Sequence, residues 1–469
     1  MNTMSSLFVA LGVLLSAGGC KNFAECQQDS DCAGRAESTG QALSCSDNMC
    51  VVGSPRAKLC QEVFPNNSPA SATPIGTLVN TVTGNDLIRL QSVKLAIEEM
   101  NVGLVASGKP PIALHVCETS ATPADMLKSY QVLVHDRKVA AVVGPSGSGN
   151  VTLLSAEVLE QKVPIMSWSA SAKSIGDLPG QGLFFRTVPS DILQGRVLAG
   201  LIPPGSETST GMIVVDDPYG QGMLSSVLGS KAGLVAKPSL TYKESVGTDQ
   251  AAAETTLTAA VGTLRGGVAP KALVAVTNLF SDKFLAQMDG YGTVSPTMPI
   301  LMGDAAKNSK VLDLLNKGIP SMGTNLQRVK GTAPAVDSGS AAYTTFVAKF
   351  NQRWQGATDP TTTVYSFYAY DAAYAVGAAV CAAGTVTPAR VSEYLLRMNN
   401  SQCPPQERLK IGQDNFLNSC NRLSSQSSLA IQGTTGVVSF TPHGDRETGL
   451  YEVWSIDVNN KKFLSTPAP

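Results

Sequence analysis

The stretch best suited to chemistry in this chain is Gly144-Pro145-Ser146-Gly147-Ser148-Gly149-Asn150. Its glycines let the backbone come close to a ligand, and the helical pattern behind it would offer unpaired N–H groups and the positive end of a dipole. An anion suits such a loop. A Walker-type phosphate site is excluded, because no Lys-Ser or Lys-Thr pair follows the glycines. A GxSxG nucleophile elbow is approached but not made, since Ser148 stands where its second glycine would be, and no histidine is placed to serve Ser146 or Ser148 as a base. What remains is a carboxylate held by hydroxyl and amide donors; the alternative is a tight turn that binds nothing. A second polar loop, Ser167-Trp168-Ser169-Ala170-Ser171, carries more hydroxyls than a turn requires. Trp168 either lines a cleft or packs beneath this loop.

These loops need strands and helices to present them, and the pattern supplies both. From Ile75 onward short apolar runs alternate with amphipathic stretches. Strands are expected at Ile75–Val79, Ile112–Val116, Val139–Val143 and Val163–Met166, with helices at Asp86–Met100, Pro123–His135 and Val151–Gln161. Leu90, Val93, Ile97 and Met100 fall on one face of the first helix, as packing on a sheet demands. Such alternation reads as a parallel sheet covered on both faces. After the break at Pro203-Pro204 a second series begins, with strands at Met212–Val215, Leu273–Val276 and Pro299–Met302. The Gly- and Pro-containing stretch Gly318–Pro334 then reads as a separator before an Ala- and Tyr-rich helical region at Tyr365–Ala383, whose small and aromatic residues mark a core face. If that region packs back on the first series, the chain crosses between two lobes more than once, and the loops at the strand ends face each other across a cleft.

Composition narrows the function. With 35 basic and 36 acidic side chains the formal charge is -1, so nucleic acid is not an expected partner. The three histidines, His115, His135 and His443, are isolated from other potential ligands, and neither a metal nor a cofactor is expected. Leu7–Leu15 is apolar but too short for a permanent membrane span, and it is followed by Ser16, Ala17, Gly18, Gly19 and Cys20. Small residues before a cysteine resemble a bacterial lipobox, which implies export and a lipid on Cys20; the alternative is an ordinary signal peptide cut nearby. Cys26, Cys32, Cys45 and Cys50 crowd a polar segment with too little apolar content for a core, and two disulfides are expected there. Cys60 with Cys117 and Cys403 with Cys420 are the further expected pairs, leaving Cys381 as a buried free thiol.

Taken in order, VVGPSGSG, VPIMSWSAS, FFRTVPSD, DDPYGQG, MPILMGD, YAYDAAYAVGAAV and GTTGVVSFTPHGD resemble the type I periplasmic binding protein family, in particular the branched-chain amino acid (Leu/Ile/Val) binding proteins of ABC importers. The resemblance implies an α/β fold of two Rossmann-like lobes with parallel sheets joined by a three-strand hinge, here preceded by a small cysteine-rich segment. It places the signal peptide at 1–19, the anchor and cysteine-rich linker at 20–62, lobe 1 at 63–200 plus 331–440, and lobe 2 at 201–330 plus 441–469. It puts Ser148 and Ser171 on a ligand carboxylate, gives the Ser169 carbonyl part of the ammonium, and adds Ser146 and Ala170 from the same two loops. In lobe 2 it assigns Tyr219 as a cleft tyrosine, Asp304 as the acid facing the ammonium, and Phe280 or its neighbour Leu279 to the ligand side chain. Two departures stand out: Ala305-Ala306-Lys307-Asn308 follows Asp304 where glycine is usual, and Leu279 or Phe280 replaces a frequent tyrosine. The implied role is capture of an amino acid or related small polar molecule for an inner-membrane ABC permease, with the membrane reached through the lipid anchor. A serine hydrolase lacks a base, and a sensing or docking lipoprotein of the same fold is the other reading.

Overall fold

Strands in this chain are short because their aliphatic and β-branched residues are buried on both faces, and each is followed by a helix that must cover one of them. The computed structural model describes residues 29–32, 43–46, 49–52, 59–80, 84–119, 123–244, 250–290, 297–357 and 359–468. The expected signal peptide, Cys20 and Cys26 lie outside them. The chain divides into two units, Met1–Pro55 and Arg56–Pro469. In the first, β1 (Leu43–Ser46) and β2 (Met49–Val52) pair antiparallel with Cys45 opposite Cys50. Cys50 is bonded to Cys32, and Cys45 is also in a disulfide.

The second unit holds both lobes. Lobe 1 is built on β3 (Glu62–Phe64), β4 (Thr73–Val79), β5 (Ile112–Glu118), β6 (Val142–Val143), β7 (Ile165–Ser167) and β8 (Phe184–Arg186), in the spatial order β3-β5-β4-β6-β7-β8. All pairs are parallel except β3 with β5. Lobe 2 is built on β9 (Thr210–Val215), β10 (Ala236–Tyr242), β11 (Ala272–Val276), β12 (Ile300–Met302) and β13 (Val329–Pro334), all parallel. A small sheet of β14 (Leu409–Lys410), β15 (Ile431–Gly433) and β16 (Gly436–Val438) follows. The closing hairpin, β17 (Tyr451–Asp457) and β18 (Lys462–Pro467), then adds antiparallel to β13. Strands end where the chain passes between lobes, after Arg186, after Pro334 and before Tyr451.

Helix Ser366–Ala382 is buried along its whole length and packs on helix Gly84–Ala106 within the lobe-1 core. Its small residues permit the close approach; at Gly377 the Met100 side chain occupies the space a Cβ would need. The Ala- and Tyr-rich region is therefore core, as its spacing predicts. Four expectations need correction. Lobe 1 is expected to run to residue 200, but Leu198 and Ala199 of helix Asp191–Gly200 are buried in the lobe-2 core, so the first crossing falls after Arg186 and before that helix. Gly318–Pro334 is no mere separator, because it contains helix Met322–Gln327 and β13, a central strand of lobe 2. The expected helix Pro123–His135 is α-helical only to Gln131 and closes in a π turn, Val132–Asp136. Finally, Cys420 pairs with Cys381 and not with Cys403, which is buried and free, whereas the Cys60–Cys117 pair forms as expected. The helix Phe416–Ser425 carries Cys420 against the end of helix Ser366–Ala382, where Cys381 lies, so helix packing and not nearness in sequence selects the partner.

Peptide mapping without reduction should recover Cys381 linked to Cys420, with Cys403 alkylated only after unfolding. The bond closes a sequence separation of 39 residues. A Cys381→Ser variant should lose about 4 kcal/mol on the chain-entropy estimate, read from urea melts, whereas Cys403→Ala should stay within about 1.5 kcal/mol of the parent.

Candidate ligand-binding site

The two serine-rich loops leave the carboxyl ends of β6 and β7, neighbouring strands of lobe 1, and are knitted together by their own polar groups. Gly144 N–H donates to Met166 O at 2.8 Å. The Ser167 hydroxyl donates to Pro145 O at 2.6 Å, Gly147 N–H to Ser169 Oγ at 2.9 Å, and Ala172 N–H to Ser148 Oγ at 3.0 Å. Gly144 has φ +104°, and a Cβ there would press on Leu78 O and the Trp168 ring, so glycine is required. Trp168 packs beneath the loop, fully buried, with its indole N–H donated to Ser146 Oγ at 2.8 Å. Ser146 in turn donates to Asp86 Oδ1 at 2.8 Å, beside Arg89. It serves the junction with helix Gly84–Ala106.

Helix Ser148–Gln161 begins at Ser148, three residues earlier than the pattern suggests, and its N-cap, Gly147, supplies no capping side chain. Its first N–H groups are therefore uncapped by a side chain at the end nearest Ser171, a setting that favours an anion. Ala170 has both backbone groups in use, its N–H on Ser167 Oγ at 3.1 Å and its carbonyl on Arg186 at 2.9 Å. Ser171 is buried, and among the described residues its hydroxyl has no hydrogen-bond partner.

Lobe 2 contributes carboxylates. Asp304, at the end of β12, accepts through Oδ1 from Gln194 Nε2 and from the Tyr219 hydroxyl, each at 2.8 Å. Its other oxygen accepts from the hydroxyl of Tyr365, which belongs to the lobe-1 core. Burial, and then the Asp304 charge, hold the phenols of Tyr219 and Tyr365 well above the ordinary tyrosine range, so both remain donors. Tyr219 is set by helix Pro218–Ser230, which Asp217 caps by accepting from Gly220 N–H at 2.8 Å. Gly303, next to Asp304, has no room for a Cβ because the Tyr219 hydroxyl is there.

Between these groups stands Asp191, the first residue of helix Asp191–Gly200. It is 0% exposed, and among the described residues neither carboxylate oxygen has a hydrogen-bond partner. Burial, and then the Asp304 charge, push its carboxyl up to about 8, against the opposing pull of Ser171 and Arg186. Its own N–H donates to Ser171 O at 2.8 Å, which fixes the two residues side by side. The acceptor oxygen of Gln194 is likewise unpartnered.

Of the residues picked out from sequence, the structure thus draws Ser148, Ser171, Tyr219 and Asp304 toward one place, with Ser169 and Ala170 bracing them and Ser146 turned to a neighbouring helix. Phe280 is apart. Its ring packs in the lobe-2 core under Lys283 and its N–H goes to Glu244, while Leu279 is the exposed member of the pair. Asp191, Gln194 and Tyr365 were not anticipated. Ser190-Asp191 reads in sequence as a helix cap with an acid in the first turn, and the cap is real, Ser190 Oγ accepting from Ile192 N–H at 3.4 Å. The only available sign was that Asp191 closes the FFRTVPSD motif. Among the described residues no cluster of His, Cys, Asp or Glu is placed to hold a metal.

The model of the receptor family ligand binding region matches residues 88–459. The chain belongs to that family. Among curated relatives, the substrate-binding protein BasB of a chemotactic signal transduction system in Halobacterium salinarum is 29% identical over 33% of this chain and 38% of its own length. Mouse taste receptor type 1 member 3 is 26% identical over 36% of this chain and 20% of its own. The chain therefore spans well under half of each of these relatives. Solved structures match over more of the family fold. LivJ of Streptococcus pneumoniae, in complex with isoleucine, gives a TM-score of 0.61 at 17% identity, covering 84% of this chain and 99% of that one. A solute-binding protein of an ABC transporter from Rhodopseudomonas palustris, in complex with 3,4-dihydroxybenzoic acid, gives 0.60 at 14% identity, covering 85% and 98%. At these identities the likeness establishes the fold, two α/β lobes of the type I periplasmic binding kind.

Asp191 makes the ligand-free protein pH-sensitive. Its folded value of about 8 lies above the ordinary 3.8, so the folded state holds the extra proton between those limits and stability falls as pH rises through them. Thermal melts from pH 4 to 8 should show a shallower decline for Asp191→Asn than for the parent; parallel curves would mean that Asp191 titrates normally.

Proposed function

We propose that the protein is an exported, lipid-anchored solute-binding protein that closes on an amino acid or closely related small zwitterion and passes it to an ABC-type importer, acting by binding and not by turnover. The observation that carries this reading is the Asp191 carboxyl and the Ser171 hydroxyl, both fully buried at the lobe junction and, among the described residues, without a hydrogen-bond partner other than each other, beside the start of helix Ser148–Gln161, which its N-cap Gly147 does not cap. Leaving such groups unsatisfied is costly, and a ligand that supplies their partners recovers that cost on binding. A ligand carboxylate would take the Ser148 hydroxyl and the helix N–H groups. Its ammonium would sit by Asp191, with Asp304 and Tyr219 behind. Opposite charges gripped by opposite lobes favour closure only when both are on one molecule. The isoleucine in LivJ is a molecule of this type.

A sensing role has its own support, because BasB is described as part of a chemotactic signal transduction system and the taste receptor is a receptor. Both readings share the site and differ in what reads the closed state. Pull-down on a membrane extract with the liganded protein, followed by mass spectrometry, should recover a permease under the transport reading and a transducer under the other.

Thermal shift on protein refolded to remove carried-over ligand should identify the class. A ligand at about 100 times its Kd adds roughly 2.7 kcal/mol. The shift should appear with one group of amino acids and vanish in Asp304→Ala and Ser148→Ala; no shift with any amino acid, small amide or aromatic acid would defeat the reading. Because the Asp191 carboxyl is pushed up to about 8, an arriving ammonium should expel its proton. Calorimetry at pH 7 in buffers of different ionisation enthalpy should therefore find net proton release on binding, on the order of half to one proton per ligand, and almost none in Asp191→Asn.

A further inference from the structure

One buried cation near the site is not used by the reading above. Arg186, the last residue of β8, is 0% exposed, and its contacts bracket a single neighbour. One guanidinium nitrogen donates to Ala170 O at 2.9 Å and to Ala172 O at 2.8 Å, the carbonyls immediately before and after Ser171. Its Nε donates to Asp445 Oδ1 at 2.8 Å. Asp445 lies far along the chain, in the turn 441–446 that leads to the last crossing between lobes. That turn is itself pressed on β8: Arg186 N–H donates to Gly444 O at 3.1 Å, and Gly444, at φ +86°, leaves no room for a Cβ against Phe184 O. On its other side the Asp445 carboxylate fills the space beside Gly176, in the short helix that follows Ser171.

We propose that Arg186 and Asp445 are the positioning pair of the ligand site: they clamp the turn Ala170–Ala172 from behind and so aim the Ser171 hydroxyl toward Asp191. This rests on the reading of Ser171 as a ligand contact. A buried ion pair contributes little net stability over an apolar replacement, because desolvation offsets the attraction. Geometry is the better reason for it here. A guanidinium offers several donors in a fixed plane, so it can hold two carbonyls and a carboxylate at once, which a lysine ammonium on a flexible stem cannot do in the same directions. Asp445 fixes the roll of that plane. The turn 441–446 thereby becomes part of the site without touching the ligand.

The test uses the full chain and two readouts. In the ligand-free protein, hydrogen exchange of the segment 167–176 should quicken at least tenfold in Arg186→Lys and in Asp445→Ala, and return to parental rates in Asp445→Asn, which keeps an acceptor for Nε. Helix Gly84–Ala106 serves as the internal control and should not change. Exchange that rises equally in both segments, or in neither, would overturn the proposal. In the second readout, affinity for L-isoleucine should fall about tenfold in Asp445→Ala but fall no further when that change is added to Ser171→Ala. Additive losses would mean that the pair acts elsewhere. If the parent binds no L-isoleucine, the affinity arm is run with the amino acid that gives the thermal shift; if no amino acid binds, the reading of Ser171 as a ligand contact fails, and the exchange result alone decides whether the pair positions the turn.

Discussion

A carboxylate taken out of water must be met by donors or by a proton, and the junction between the lobes holds two that solve the problem differently. Asp304 is met by donors, an amide and two phenols, one of the phenols arriving from the opposite lobe. Asp191 has no such set and is pushed toward its protonated form. The other features of the site follow from this asymmetry. Gly303 must be glycine to admit the Tyr219 hydroxyl, and Gln194 must reach both Asp304 and Thr332 O, the latter at 3.0 Å. The Tyr365 contact gives the lobes a bond of their own, so a ligand stabilises closure only by what it adds beyond that bond.

On the proposed reading, lobe 1 would meet the ligand with a surface already ordered by its own hydrogen bonds. Its two loops share hydrogen bonds at each serine from Ser146 to Ser169, and Trp168 underpins them. Ordering such loops on binding would cost conformational entropy, and here they are ordered already. Leu279, three residues past β11, is exposed, while Phe280 beside it is committed to the core, so neither is drawn into the constellation of Ser148, Ser171, Tyr219 and Asp304.

The alternation of strand and helix was legible because burial imposes a period on each, and most elements lie within a few residues of the expected bounds. What the sequence hid was long-range. β13 looked like a linker since its Gly and Pro residues obscure a strand whose partners are β12 and β17, the latter more than a hundred residues away. Asp191 was hidden by a second, local role at a helix start, and Tyr365 by the run of core aromatics that follows it. Cys381 looked spare because its partner is chosen by the packing of two helices. The serine loops were legible for the opposite reason, as both ends of each lie within a few residues of its strand.

The polar contacts near the crossings also say where the lobes can turn. Arg446 is buried and donates to Thr187 O at 2.8 Å, and to Thr435 O at 2.7 Å and Val437 O at 2.9 Å. Thr434 and Thr435 give their hydroxyls and N–H groups to Asp371 of the lobe-1 core helix. Breaking such a buried network would leave several groups unsatisfied at once, so Thr187 and Arg446 must move with lobe 1. On the far side, the Tyr451 hydroxyl donates to Ser190 O at 3.1 Å, and Ala335 N–H to Leu450 O at 2.9 Å. Between these two sets of bonds a change of angle would fall on the three crossings, at Val188–Pro189, at Val336 and at Thr448–Gly449, Glu447 being held to Ser439 of lobe 1 by its N–H and its carboxylate. The proposed clamp at Arg186 and Asp445 abuts the first and the last of these on the lobe-1 side. A pivot placed there would carry Asp191 with lobe 2, so the bond from its N–H to Ser171 O, at 2.8 Å, is one that depends on the angle between the lobes, whereas the Arg186 bonds to Ala170 O and Ala172 O lie wholly within lobe 1.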